Sequence, residues 1–315
     1  MCGIAGILSP DPTQRQAISV MARSLEHRGP DDEGFYRDAS ISLGQTRLSI
    51  IDLETGLYPI SNEDDTLVLI CNGEIYNSPE LRKSLISRGH RFRTRTDVEV
   101  ILHLYEEHGD NCVKQLRGMF AFALWDIPKQ RLLLARDQMG QKPLFFVKGD
   151  DRLFFASEVK ALLDTGLIKA EMELEGLWHY VSLRFMPDAF TFFKDIHKLS
   201  AGSYLVYENG VAQVQRYWDI DFVNKHSGTE KTIEEGLHDT LLDTVRSHML
   251  SDVRVGAFLS GGIDSSAICA YYCKHYPGVL HTFSVGFPQK SYNELPYAKK
   301  FASKFGTNHH EILIG

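Results

Sequence analysis

The sequence predicts an α+β domain rich in strands, followed by the start of a parallel α/β domain, and three observations carry the prediction. Short apolar segments bounded by turn residues dominate the first two-thirds. A polar run, Asn224-Lys225-His226-Ser227-Gly228-Thr229-Glu230-Lys231, then breaks that pattern. After it the texture becomes strand, Gly-rich turn, helix and strand, the βαβ unit of a parallel sheet, whose ligands sit at the carboxyl ends of its strands.

Taken in order, the strand candidates are residues 41–44 running toward 48–50, then 66–71, 119–125, 131–135, 144–147 and 153–156. Pro128-Lys129, Gly140 and Gly149-Asp150-Asp151 supply turns between them. Two helices interrupt the series. One takes Ser78 as its N-cap and Pro79 as its first residue, stops at Gly89, and buries Leu81, Leu85 and Ile86. The other covers 98–108, with Val98, Ile101, Leu102 and Tyr105 at helical spacing. Beyond the polar run, Thr232 and Glu235 have capping-box spacing, and Ile233, Leu237, Leu241, Val245 and Met249 mark one face of a helix about five turns long. A strand at 253–259, a helix at 265–274 and a strand at 280–285 complete the pattern. The domain limits read from this are 1–218, a linker at 219–231, and 232–315.

Composition narrows the function. The 315 residues are 43% hydrophobic and 24% charged with a net charge of -7, ordinary globular material with no basic stripe for a phosphate backbone. The basic stretch from Arg82 to Arg95 reads as a solvated helix face and turn. Any nucleotide bound is therefore expected to be a small molecule. No apolar run approaches the ~18 residues of a membrane span, and the N-terminus has no signal-peptide pattern, so a cytoplasmic protein is expected. Five scattered cysteines form no disulfide framework; Cys71, Cys269 and Cys273 read as small buried hydrophobes. The thirteen histidines show no zinc-type spacing, and His309-His310-Glu311 is read as structural because neighbours on a strand face opposite ways.

Cys2 is the first candidate for chemistry. Removal of Met1 leaves its thiol beside its own α-amino group, a nucleophile and a base in one residue, with ordinary pKa values near ~8.5 and ~7.7–8.0. Taken alone, the reading of Cys2 as an arbitrary N-terminal cysteine wins. Other polar residues fit a shared task. The fork of Arg47 suits the carboxylate of a free amino acid; Asp97 and Glu74 suit its ammonium; Asn72 and the Gly73 N–H suit the oxyanion formed when a thiolate attacks a carboxamide. Each has a plain alternative: a surface ion pair for Arg47, a turn for Asn72-Gly73, a helix cap for Asp97.

Together with Met1-Cys2-Gly3-Ile4-Ala5-Gly6, the segments His27-Arg28-Gly29-Pro30-Asp31, Arg47-Leu48-Ser49-Ile50-Ile51-Asp52, Asn72-Gly73-Glu74-Ile75-Tyr76-Asn77, and Arg136-Asp137 with Gly140-Gln141-Lys142-Pro143-Leu144 resemble the class II glutamine amidotransferases. More closely they resemble the glutamine-hydrolysing asparagine synthetases. The resemblance implies an N-terminal-nucleophile αββα sandwich with Cys2 as nucleophile, Arg47 and Asp97 as the clamp on glutamine, Asn72 and Gly73 as oxyanion hole, and Glu74, Leu48 and Ile50 as further contacts. His27 to Asp31 is expected to form a loop near the site, and Arg136-Asp137 to be structural.

In the second half, Ser260-Gly261-Gly262-Ile263-Asp264-Ser265-Ser266 lies between a strand and a helix, where amides, hydroxyls and the helix N-terminus create an anion site. It lacks the lysine of a Walker loop and resembles the PP-loop of ATP pyrophosphatases, an adenine nucleotide alpha hydrolase-like fold. By that resemblance Ser260, Gly261, Gly262, Ser265 and Ser266 hold pyrophosphate, Asp264 holds Mg²⁺, and main-chain groups of Leu259 and Val285 contact adenine. The implied reaction converts glutamine, aspartate and ATP into glutamate, asparagine, AMP and pyrophosphate, with ammonia passing internally between sites. The partners expected are these small molecules, with no nucleic acid and no membrane, and a second copy of the chain is admitted. Another carboxylate acceptor, or a regulatory protein that only binds glutamine and nucleotide, stays open. Because the chain ends at Ile314-Gly315, after the second strand of the ATP half and before further family motifs, a C-terminally truncated protein is expected, with glutaminase chemistry retained and an exposed apolar face and sheet edge beside it.

Overall fold

The computed structural model describes residues 1–54, 58–225, 227–289, 291 and 293–315, and the chain divides into two units, Met1–Asp221 and Phe222–Gly315. In the first unit β1 (Gly3–Leu8) leads through α1 (Pro12–Gln16) and α2 (Ile18–Ser24) to the hairpin of β2 (Asp32–Arg37) and β3 (Ile41–Arg47). The short β4 (Ile60–Ser61) precedes the long β5 (Leu67–Ile75), which is followed by α3 (Ser78–Ser87) and α4 (Val100–His108). Strands β6 (Gly118–Asp126), β7 (Arg131–Arg136), β8 (Phe145–Lys148) and β9 (Leu153–Ala156) come next, then α5 (Val159–Leu163) and α6 (Leu174–Leu183), and last β10 (His197–Lys198), β11 (Ser203–Glu208) and β12 (Val211–Arg216).

These strands make two antiparallel sheets, ordered β10-β8-β9-β1-β3-β2 and β12-β11-β7-β6-β5-β4. Side-chain alternation explains the layering. On β1, Ile4 and Leu8 face inward and pack with Val68 and Ile70 of β5 and with Ala123 and Trp125 of β6. Ala5 and Ile7 face outward onto Ile18 and Met21 of α2 and Ala161 of α5. On β5, the odd residues Leu67, Leu69 and Cys71 face α3 and α4, meeting Leu85, Ile101 and Leu104. With both faces covered, every residue of β1 is buried. The result is the αββα sandwich.

Several boundaries differ from expectation, each for a physical reason. The strand expected at 66–71 runs on to Ile75 because β6 pairs with it throughout, so Asn72, Gly73 and Glu74 lie inside the strand instead of capping it. Residues 48–50 are not a strand, since the Leu48 N–H turns to the Cys2 sulfur and the Ser49 N–H to the Asp31 carboxylate. The helix expected from 98 starts at Val100, and the one expected to be capped by Ser78 has Asn77 at its N-cap. Asn77 spends its side chain on Arg117 N–H and the Gln115 carbonyl.

In the second unit α7 (Glu230–Ser247) is capped by Thr229, whose hydroxyl accepts from Thr232 N–H, so the cap sits three residues before the expected Thr232. Glu230 and Lys231 are helical, not linker, and His226 of the expected linker lies outside the described residues. Strands β13 (Gly256–Phe258), β14 (His281–Gly286) and β15 (Asn308–Leu313) form a parallel sheet in that order, with α8 (Ile263–His275) and α9 (Leu295–Phe305) as its crossovers. The third strand corrects the expectation that the chain ends after the second. Leu259, Cys269, Leu280 and Ala298 form the small core. Val245 on α7 is buried, whereas Ile233 and Leu237 of its expected apolar face are exposed. Among the described residues no helix is long and apolar enough to cross a membrane.

Candidate active site

The β1–β3 register pairs Gly3 with Thr46, which brings Cys2 level with Arg47 at the end of the ladder. Arg28, on the turn after α2, fixes that end. Its Nε donates to the Cys2 carbonyl at 3.0 Å and its Nη1 to Glu158 Oε1 at 2.8 Å. The Leu48 N–H points at Cys2 Sγ at 3.5 Å. Burial pushes the Cys2 thiol up from its ordinary pKa; the Leu48 N–H, the N-terminal charge, Arg47 and Lys142 oppose that rise.

The thiol opens into a pocket of about 50 Å³ lined by Met1, Cys2, Arg47, Leu48, Ile50, Ile51, Tyr58, Cys71, Asn72, Gly73, Glu74, Asp97, Val98 and Lys142. All eight residues singled out for glutamine chemistry therefore share one pocket. Arg47 is buried, donates to the Ile51 carbonyl at 3.1 Å, and lies 4.9 Å over the Tyr58 ring. Backbone bonds and the ring fix the direction of its fork.

Strand β5 supplies the groups opposite the thiol. Asn72 and Glu74 belong to the inward-facing set with Val68 and Ile70. Asn72 is 1% exposed, and its Nδ2 has no hydrogen-bond partner among the described residues. A buried amide donor left unpaired is costly, so it marks where a ligand atom belongs. Gly73 lies between two residues whose N–H groups leave β5 on the edge away from β6, Cys71 to Gln45 Oε1 at 3.0 Å and Ile75 to Asp97 Oδ2 at 2.5 Å. Antiparallel alternation puts the Gly73 N–H on that same edge. A Cβ there would come 2.3 Å from the Met119 carbonyl oxygen, so only glycine lets the strand lie so close.

Asp97 accepts the Ile75 N–H and is otherwise enclosed. Burial, reinforced by Glu74, raises its carboxyl to a pKa of about 7, against the pull of the Ile75 N–H. A cation entering the pocket would restore its charge.

Lys142 is a pocket residue for which the sequence suggested no role. Asp137 holds its loop by accepting from Met139, Gln141 and Lys142 N–H at 3.1, 2.9 and 3.0 Å, while Arg136 donates to the Lys142 carbonyl at 2.7 Å. Burial lowers the Lys142 pKa, and Glu74 and Cys2 oppose that. Tyr58, Ile51 and Val98 were missed as well. The signal for Lys142 was its place in Gly140-Gln141-Lys142-Pro143; the direction of a loop side chain is not written in a single sequence.

In the second unit, Leu259 to Ser266 stand together at the carboxyl end of β13 and the start of α8. Gly261 has a φ of +86°, and a Cβ would meet Tyr297 Cβ at 2.7 Å. Gly262 is the N-cap of α8, its N–H bonded to Ser260 Oγ at 3.1 Å, and Ser265 Oγ lies 2.9 Å from Ser260 Oγ. Ser266 N–H is engaged in the helix with the Gly262 carbonyl at 3.1 Å, and Asp264 is exposed in the first turn. Leu259 is buried, its N–H bonded to the Phe283 carbonyl, and Val285 lies near the end of β14.

Comparison with known proteins identifies the two halves of the chain. A family profile described as a glutamine amidotransferase domain matches residues 1–218, and one described as asparagine synthase matches residues 236–315. Asparagine synthetase [glutamine-hydrolyzing] 1 of Bacillus subtilis (strain 168) is 39% identical over 97% of this chain and 49% of its own length. Asparagine synthetase B [glutamine-hydrolyzing] of Escherichia coli (strain K12) is 34% identical over 99% of this chain and 54% of its own. The chain thus spans about half the length of these curated relatives. Glutamine phosphoribosylpyrophosphate amidotransferase from B. subtilis shares the fold at a TM-score of 0.53 and 17% identity, with 98% of this chain and 65% of that one covered. With the profile covering residues 1–218, more than half of its length, the chain belongs to the glutamine amidotransferase domain family, and its second unit carries a segment matching asparagine synthase.

Proposed function

We propose that the first unit hydrolyses glutamine to glutamate and ammonia at Cys2, and that the ammonia amidates an ATP-activated aspartate to give asparagine, AMP and pyrophosphate. The observation that carries the first half is the unpaired, buried Asn72 Nδ2 in the same pocket as the Cys2 thiol.

The steps follow from the charges. Arg47 takes the glutamine carboxylate, and its ammonium restores the charge on Asp97. With Met1 removed, the Cys2 amine takes the thiol proton and the sulfur attacks the side-chain carboxamide. Asn72 Nδ2 and the Gly73 N–H receive the oxyanion, a contact made only as the carbonyl carbon becomes tetrahedral. The proton passes to the departing nitrogen, ammonia leaves, and water cleaves the thioester to glutamate. Lys142 and the Leu48 N–H add favourable potential for the thiolate.

For the second half, the support is the glycine-lined turn at the head of α8, where the Gly261 conformation and the Ser260–Ser265 hydroxyl pair fit phosphate oxygens. The relatives named as asparagine synthetases favour aspartate as the acceptor. Magnesium fits the hard oxygen donor of Asp264, which stands exposed beside this turn; bound there, it would neutralise phosphate charge. We take Cys2, Asn72 and Gly73 as catalytic, Arg47, Leu48, Ile50, Glu74 and Asp97 as glutamine contacts, and residues 1–218 as the glutaminase domain, in a cytoplasmic setting.

The test is glutamate release by the purified chain and its Cys2→Ala variant, with mass spectrometry of the N-terminus. Wild-type turnover with Met1 absent, and none in the variant, is the expected result; equal turnover in the two would refute the nucleophile. Asparagine and AMP formed from glutamine, aspartate and ATP would establish the second half.

A further inference from the structure

A second cluster of chemistry-bearing side chains lies in the helical layer over the outer face of the β5 sheet. Glu63 follows β4, His90 follows α3, and His103 and Glu106 share one face of α4 at i, i+3 spacing. One donor atom from each of the four lies within 4.8 Å of every other. We propose that Glu63, His90, His103 and Glu106 bind one divalent transition-metal ion, of which Zn²⁺ fits best, as a structural clamp on α4.

The separations support a tetrahedral ion. Ligands at the 2.0–2.1 Å expected for zinc stand about 3.3 Å apart at the corners of a tetrahedron. His103 Nδ1 lies 2.7 Å from Glu106 Oε2 and 3.3 Å from Glu63 Oε2, and His90 Nδ1 lies 3.2 Å from Glu106 Oε2 and 3.8 Å from the other Glu63 oxygen, Oε1; with one donor from each residue the set spans at most 4.8 Å. Two imidazoles with two carboxylates select zinc over magnesium or calcium, which take oxygen donors.

The outer contact of His90 has the form found at metal sites. A ligating histidine turns its second ring nitrogen to a carboxylate. His90 Nε2 does so, 3.0 Å from Glu107 Oε1, whereas His103 Nε2 has Glu99 Oε1 as its neighbour at 3.9 Å, beyond hydrogen-bond reach. Glu107 and Glu99 have cations of their own, Arg88 at 3.0 Å and Arg82 at 4.0 Å. That leaves Glu63 and Glu106 facing two imidazoles, a net of two negative charges for one M²⁺ to balance.

Protons alone satisfy the cluster less well. The single proton of His103 Nδ1 cannot serve both carboxylates, and Glu63 Oε2 is left buried with no hydrogen-bond partner. Protonating both rings sets two cations with centroids 4.9 Å apart, one of them on a fully buried residue. An ion meets all four donors and ties the β4 turn and the α3–α4 connection to α4.

The experiment uses the Cys2→Ala chain, which removes the pocket thiol, stripped with EDTA and titrated with Zn²⁺ alone. Metal analysis after gel filtration should find one zinc per chain, with a melting temperature that rises on addition and falls with EDTA. Glu63→Gln and His90→Asn, both at partly exposed positions, should keep the fold by circular dichroism and weaken zinc binding about 10–100-fold each. No retained zinc in the parent, or retention equal in both variants, would overturn the proposal and leave a proton-bridged network in its place.

Discussion

The two units handle their polar groups in opposite ways. In the first, the site is held by buried and half-buried residues that bond one another: Arg28 to Cys2, Asp97 to Ile75, Asp137 to the Lys142 loop. Among the pocket-lining side chains, the buried and unpaired Asn72 Nδ2 is left for substrate. In the second, the Ser260–Ser266 turn is mostly exposed, its hydroxyls bonded to one another and to its own backbone. A site of the first kind is held in place by the core around it; one of the second kind depends on its ligand for much of its order.

Stability should show the contrast most strongly. Phe122 on β6 is fully buried beneath the helical layer, whereas Ile312 on β15 is 63% exposed. Phe122→Ala should cost about 3–5 kcal/mol in urea unfolding. Ile312→Ala should stay within about 0.5 kcal/mol. Comparable losses would mean that the second unit has a core of similar quality.

Next in size is the oxyanion contact. Asn72→Ala should lower glutaminase kcat about 10²–10³-fold, or roughly 2.7–4 kcal/mol, with KM nearly unchanged. A rise in KM alone would make Asn72 a ground-state contact.

Asp97 sets stability against function. Its folded pKa of about 7 stands above the ordinary 3.8, so the folded chain binds that proton more tightly than the unfolded chain. Its contribution is therefore most favourable at low pH and is lost as the pH rises from about 4 to about 7. Asp97→Asn should raise stability at pH 8, by at most about 4 kcal/mol, while strongly weakening glutamine binding. In the wild type, kcat/KM should climb through pH 7 as Asp97 ionises, and a climb that survives in Asp97→Asn at residual activity would assign the limb to another group.

What the sequence revealed follows the same division. Arg47, Asn72 and Asp97 were legible because their chemistry is unusual beside apolar strands, and the structure brings them to one cavity with Cys2. Lys142 and Tyr58 were not, because loop conformation directs them. The two short helices after β1 carry too few apolar residues for a periodic signal, only Ile18, Met21 and Ala22 being buried. The cluster of Glu63, His90, His103 and Glu106 has no motif spacing, since a turn, a connection and a helix assemble it. In the second unit the strand through His309-His310-Glu311 was legible locally, but its place as the third strand of the sheet was not, because Asn308 to Leu313 are mostly polar and exposed.

The smallest expected effects test whether backbone or hydroxyls make the anion site. Gly261→Ala places a side chain on a residue with φ of +86° and against Tyr297, so ATP binding measured by calorimetry should fall by at least tenfold. Ser265→Ala removes the hydroxyl that faces Ser260 N–H at 3.2 Å and Ser260 Oγ at 2.9 Å. These are exposed hydrogen bonds, each worth about 0.5–1.5 kcal/mol, so the loss should be roughly 2–10-fold in ATP affinity with little change in melting temperature. If Ser265→Ala instead matches Gly261→Ala, the hydroxyls hold the phosphate directly, and this turn is preorganised by side chains much as the Cys2 pocket is.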